Sequence, residues 1–158
     1  MSREPETVVL RRLVLALDAV LVGADDAADV MGRLPATTDA FSRMTAVEKT
    51  GARALLKAVE QAQDIIARIF RTYLIVEQID IEGMTARDIA NRAEKYGLLG
   101  DADQWSDLVK LRNRLAHEYP VGPAAQLDRV ASALAAVPQL KAIRDGLLPH
   151  LRQKGFAA

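Results

Sequence analysis

Between Thr38 and Gln78 only Gly51 interrupts a stretch whose apolar residues recur at helical spacing: Leu55, Leu56, Val59, Ile66, Ile69, Phe70, Tyr73 and Leu74. The pattern predicts one long helix bent at Gly51, because glycine inside a helix is costly and often marks a break. Helical segments flank it on both sides. Pro5 to Val22 reads as a first helix ending near Gly23, and Ala24 to Leu34 as a short second piece stopped by Pro35. Ala36-Thr37-Thr38-Asp39 supplies helix-start chemistry. Met84-Thr85 opens another helix, with Thr85 and Asp88 spaced as a capping box, and Tyr96-Gly97 closes it. Gly100-Asp101-Ala102-Asp103 offers an N-cap for a helix ending near Glu118 or Tyr119, since Pro120 pushes the residue before it out of the α region. Residues 124–136 read as a further helix, and Pro138 as the first-turn proline of a last one running to about Gln153. No repeat, low-complexity segment, strand alternation or glycine-rich phosphate loop competes with this reading. The expected fold is all-α, a bundle of five or six helices in a single domain over residues 1–158.

Half the residues are hydrophobic and only 4% aromatic, which suits close packing of Ala- and Leu-rich helices. Lys plus Arg equals Asp plus Glu at 21 each, whereas a protein living by non-specific nucleic-acid binding is normally basic. Any contact with RNA must therefore be local, or shared with a second subunit. The absence of cysteine rules out disulfides and thiolate metal sites and suits a cytoplasmic address. Neither a basic-then-apolar leader nor a bilayer-length apolar run is apparent, so no membrane partner is expected.

The stretch Arg112-Asn113-Arg114-Leu115-Ala116-His117-Glu118-Tyr119 holds one of the two histidines. Stepping back from Tyr119 through Leu115/Ala116, Arg112 and Leu108/Val109 to Trp105 traces a core-facing stripe, with Arg112 in its middle. A cation there costs desolvation unless it is paired or reaches a solvated cleft. It is either a structural ion-pair partner or part of a site. Glu60 and Asp64, one turn apart, repel each other, and a cation would relieve them. Arg68 on the same row is one candidate and Arg112 the other. No third ligand at suitable spacing makes these acids a metal site, and no cofactor is expected.

The string Arg-Asn-x-Leu-Ala-His-x-Tyr resembles the signature of the HEPN superfamily, and of its HepT-like toxins in particular. Arg112, Asn113, His117 and Tyr119 occupy the signature positions. The Glu60-Gln61-Ala62-Gln63-Asp64-Ile65-Ile66-Ala67 stretch and the Gly83-Met84-Thr85-Ala86-Arg87-Asp88 segment are also similar to that family, so the likeness spans roughly residues 48–120. The resemblance implies a metal-independent endoribonuclease, the toxin of a toxin–antitoxin module, working as a homodimer beside a nucleotidyltransferase antitoxin. It further implies that Tyr119 is adenylylated (AMPylated) by that antitoxin. The alternative is a non-catalytic helical partner or substrate-binding subunit of a nucleotidyltransferase.

RNA cleavage through its own 2′-hydroxyl needs a base, an acid and a cation for the charge developing on phosphorus. Arg112 suits the phosphate role, because its fork binds phosphate oxygens and stays charged. His117 suits proton transfer, since imidazole exchanges protons near neutrality. One imidazole cannot be charged and neutral at once, and His150 lies far along the chain. A two-fold dimer that brings two copies of this helix together supplies both histidines to one cleft. In that arrangement Arg112 comes from a seam facing the second copy, Asn113 orients His117 or phosphate, and Glu60 and Asp64 hold Arg112 in place from behind.

Overall fold

The computed structural model describes residues 4–157. Six α-helices make up the fold: α1 (Glu4–Met31), α2 (Thr38–Ser42), α3 (Ala46–Val76), α4 (Ala86–Lys95), α5 (Ala102–His117) and α6 (Pro123–Gln153). The all-α bundle expected from the pattern is what forms. Helix α3 is its spine: α1 packs along it most extensively, and α4, α5 and α6 lie against its other faces. The core is continuous, from Leu10 and Leu17 of α1 through Leu55, Ile66 and Phe70 of α3 to Leu140 and Leu147 of α6.

Three boundaries differ from the sequence reading. Helix α1 runs straight through Gly23, uniting the two expected pieces. One interior glycine costs a helix about 1 kcal/mol, less than the burial of Leu17, Leu21, Ala24, Ala27 and Met31 on either side returns. The expected Thr38–Gln78 helix is instead broken at residues 43–45. Thr37 caps α2 through Ala40 N–H, and Thr45 starts α3 with a capping box in which Thr45 and Glu48 satisfy each other's backbone N–H. Those two bonds hold the Glu48 carboxyl below the usual glutamate range. Gly51 is not a bend. It lies inside α3, buried where α1 crosses, and a Cβ there would meet the Met31 backbone nitrogen at 2.5 Å and the Ala27 carbonyl oxygen at 2.9 Å.

Pro138 does not start a helix either, for α6 continues through it and through Pro149. Both prolines are exposed, so each ring lies on the solvent side of α6 rather than in its packed face. Val137 and Leu140 beside Pro138 are buried and keep the helix in place. The other caps are as expected. Thr85 and Asp88 form a capping box, Asp101 caps α5, and Tyr96-Gly97 ends α4, with Gly97 at φ +86°. No described helix is long and apolar enough to cross a membrane.

His150, the second histidine, is a packing residue of α6. Its Nε2 lies 2.9 Å from the hydroxyl of buried Tyr73, beside Phe156. Burial, with Glu77 nearby, pushes the Tyr73 phenol up to about 12. A phenol harder to ionise when folded than when unfolded leaves stability untouched below pH 10 and lowers it between pH 10 and 12. Tyr73→Phe is therefore expected to cost about 1 kcal/mol at neutral pH, from the lost hydrogen bond. It should also flatten the fall in stability across that alkaline window, as read by urea unfolding at a series of pH values.

Candidate functional site

The motif helix α5 is fastened at both ends, on either side of its candidate site residues. At its start the Asp101 carboxylate accepts from the N–H groups of Asp103 and Gln104, and the Glu94 carboxylate accepts from Ala102 N–H at 2.6 Å. Arg87 ties α4 to the same turn, donating to Asp103 at 2.7 Å and to the Ala102 carbonyl at 3.2 Å. At its end Arg129 of α6, only 14% exposed, donates to the Arg114 carbonyl at 2.7 Å and lies 3.6 Å from Glu118. A cation there satisfies a terminal carbonyl and suits the negative end of the helix dipole.

Between these anchors the apolar stripe of α5 packs against α3 of the same chain. Trp105 and Leu108 are buried, and Val109, Leu115 and Ala116 are half-buried. Phe70 of α3 meets Trp105 edge to face at 5.0 Å between ring centres. The seam expected to face a second copy is, over this length, an intrachain contact. The expectation that Tyr119 continues the stripe fails too. Helix α5 stops at His117, Glu118 is extended, and Tyr119 is 95% exposed. Pro120 enforces the turn away from the core, and Gly122, at φ +86°, admits the chain to α6.

Arg112 resolves its place in the stripe by pairing with Asp64. Its Nε donates to Asp64 Oδ1 at 2.7 Å and its Nη2 to Oδ2 at 3.1 Å, a two-pronged fork. Hydrogen bonding to Asp64 raises the guanidinium pKa, burial opposes that, and the charges of Asp64 and Glu60 add to it. Arg112 is thus a fixed cation, with two of its five N–H donors engaged and the rest available. Glu60, one turn earlier, lies 3.7 Å from Lys57, and Arg68 pairs with neither acid.

Arg112 and Asn113 line a cleft of about 170 Å³ between α3, α4 and α5. Gln63, Asp64, Phe70 and Arg71 stand on its α3 side, Ile89 on its α4 side, and Trp105 and Val109 on α5 beside Arg112. His117 is exposed at the end of α5 and does not line this cleft, and no hydrogen bond joins it to Asn113. Within one chain the motif is divided: Arg112 and Asn113 line the cleft, while the His117 imidazole and Tyr119 lie outside it. A second, larger cleft of about 440 Å³ begins where the motif ends. Pro120 and Pro123 line it together with Lys49 and Arg53 of α3, and no carboxylate does. Among the described residues, no three potential metal ligands of the His, Cys, Asp and Glu types cluster.

Sequence reasoning missed Arg129 and Gln63. Arg129 acts on a carbonyl 15 residues away, which no spacing rule encodes. Gln63 carried a signal, a polar residue on the buried face of α3 between Ala62 and Ile66. No family model matches the chain, and no curated protein or solved structure gives a significant match to it.

Proposed function

We propose that this chain is a HEPN-type, HepT-like endoribonuclease toxin that acts as a two-fold dimer, with a nucleotidyltransferase antitoxin as its partner. The observation that carries the reading is the Arg112–Asp64 fork, which holds a cation with free N–H donors at the mouth of a cleft beside Asn113. An arginine kept only for stability has no need of that opening. In the proposed reaction His117 of one protomer takes the 2′ proton, and O2′ attacks phosphorus. The P–O5′ bond breaks, and His117 of the other protomer protonates O5′. The products are a 2′,3′-cyclic phosphate and a 5′-hydroxyl. Arg112 binds the nonbridging oxygens as charge builds on them.

Two further features support the reading. The larger cleft answers the objection from zero net charge, because Lys49 and Arg53 repel each other at one-turn spacing and a phosphate between them relieves that. Lys49→Ala and Arg53→Ala are each expected to weaken RNA binding and to lower the slope of log affinity against log salt by about one. Tyr119 is open to a modifying enzyme, and a nucleotide added there would set a bulky anion on the motif's end.

The test is cleavage of a defined RNA in excess chelator, with end-group analysis. Cyclic phosphate ends from the wild type are the expected result. Asp64→Ala, which frees Arg112 to wander, should slow cleavage roughly 100-fold without unfolding the protein. Cleavage that disappears on chelation would contradict the mechanism. The position of His117 outside the cleft favours, as the second reading, a non-catalytic subunit of a nucleotidyltransferase. Tight binding to such an enzyme with no cleavage would select it.

A further inference from the structure

Gln63 is the one amide or charged side chain among the described residues that is buried, at 4% exposed. It stands in a run of α3 where Val59, Ala62, Ile66 and Ile69 are all apolar, and no described group hydrogen-bonds its amide. What remains of its exposed surface opens on the cleft that Arg112 and Asn113 line. Its amide is not sealed from solvent, since Glu6 Oε2 is the one fully covered side-chain polar atom without a partner among the described residues, so the unused donor and acceptor of Gln63 are accessible from the cleft. Such a group is explained if something that enters the cleft completes its hydrogen bonds.

The cleft specifies what that is. Its volume of about 170 Å³ holds one small ring system, the space of roughly six water molecules. Its walls are aromatic and aliphatic, from Phe70, Trp105 and Ile89, which suits a flat apolar face. Two cations, Arg112 and Arg71, stand on its lining, and Arg71 makes no ion pair among the described residues. A carboxamide presents a donor and an acceptor side by side, the pattern that reads the edge of an unpaired base. We infer that this cleft is a nucleobase pocket, with Gln63 reading the base edge while Arg112 and Arg71 hold the attached phosphate. The choice of a nucleotide over another ring-bearing anion rests on the ribonuclease reading above, and gives that enzyme a base preference next to the scissile bond.

Trp105 is the only tryptophan of the chain and lines the pocket, so its emission reports occupancy directly. The experiment titrates wild type and Gln63→Met with the four nucleoside 5′-monophosphates and with ribose 5-phosphate, which has no base. At least one nucleotide should perturb Trp105 and bind about tenfold or more tighter than ribose 5-phosphate. Gln63→Met should abolish that advantage, keep ribose phosphate binding, and unfold at the same or a higher temperature than wild type. The inference is overturned if no nucleotide perturbs Trp105, or if ribose 5-phosphate binds as well as every nucleotide. It is also overturned if Gln63→Met keeps the ranking of bases or is itself less stable, which would mark Gln63 as structural. RNA cleavage without base discrimination would sink this inference alone. Base-dependent binding without cleavage would sink the ribonuclease reading and leave the pocket.

Discussion

RNA cleavage is expected to fall by about two to four orders of magnitude when His117 becomes alanine, the usual contribution of a positioned general acid or base. Stability should hardly change, by about 0.5 kcal/mol at most, because His117 is exposed on the last turn of α5 and makes no described contact beyond its own helix. That separation of activity from stability is what the proposed role requires. Arg112 offers no such separation, because its removal leaves Asp64 without its partner and disturbs the α3–α5 contact. Arg112→Lys is the more informative change there. It keeps the charge but cannot form the fork, so cleavage should drop while thermal unfolding shifts little. Cleavage that survives His117→Ala at near wild-type rate would remove the imidazole from the mechanism.

The largest effect on stability is expected at Gly51. Alanine favours a helix over glycine by about 1 kcal/mol, so on propensity alone Gly51→Ala would stabilise α3. The added methyl, however, would sit 2.5 Å from the Met31 nitrogen, 2.9 Å from the Ala27 oxygen and 3.0 Å from the Met31 Cα. All three atoms are backbone, so no side chain can rotate aside and α1 must move as a whole. Overpacking of this kind costs about 1–3 kcal/mol, at times more, and here the upper end applies. A net loss of about 2 kcal/mol, or roughly 4–8 °C in Tm, should appear in thermal unfolding. Gly23→Ala is the matched control. It lies mid-helix in α1 with nothing within 4 Å of its would-be Cβ, so it should raise stability by up to about 1 kcal/mol. If both substitutions shift Tm in the same direction, the close crossing of α1 on α3 is not as described.

These two glycines also show what the sequence could and could not reveal. Both look like interruptions, because local propensity is all that a single sequence displays. Gly23 touches nothing that a methyl would meet, whereas Gly51 is the contact point of two helices, a distinction that exists only once α1 lies on α3. The same holds for Pro138, whose helix-breaking tendency is overridden by burial of Val137 and Leu140 beside it. Capping chemistry is more legible at Thr85 and Asp101, which act on neighbours within three residues, but the Thr45–Glu48 box lies inside a stretch that reads as continuous helix. At the site, the misfit of Arg112 in an apolar stripe and the crowding of Glu60 and Asp64 were both visible, and one ion pair answers both. Its partner across 48 residues is Asp64, and the fork between them is a tertiary fact. Gln63 is distinguished only by its tertiary burial, at 4% exposed, with no hydrogen-bond partner among the described groups.

In the proposed mechanism two copies of His117, one from each protomer, act in one cleft. Subunit mixing tests it most directly. Wild type and His117→Ala protein are unfolded together, refolded at varied ratios and assayed for RNA cleavage at constant total protein. If a site needs both imidazoles, activity follows the square of the wild-type fraction, so an equal mixture keeps about a quarter of it. Activity that falls in simple proportion to the wild-type fraction would show that each chain carries a complete site, and would contradict the shared cleft.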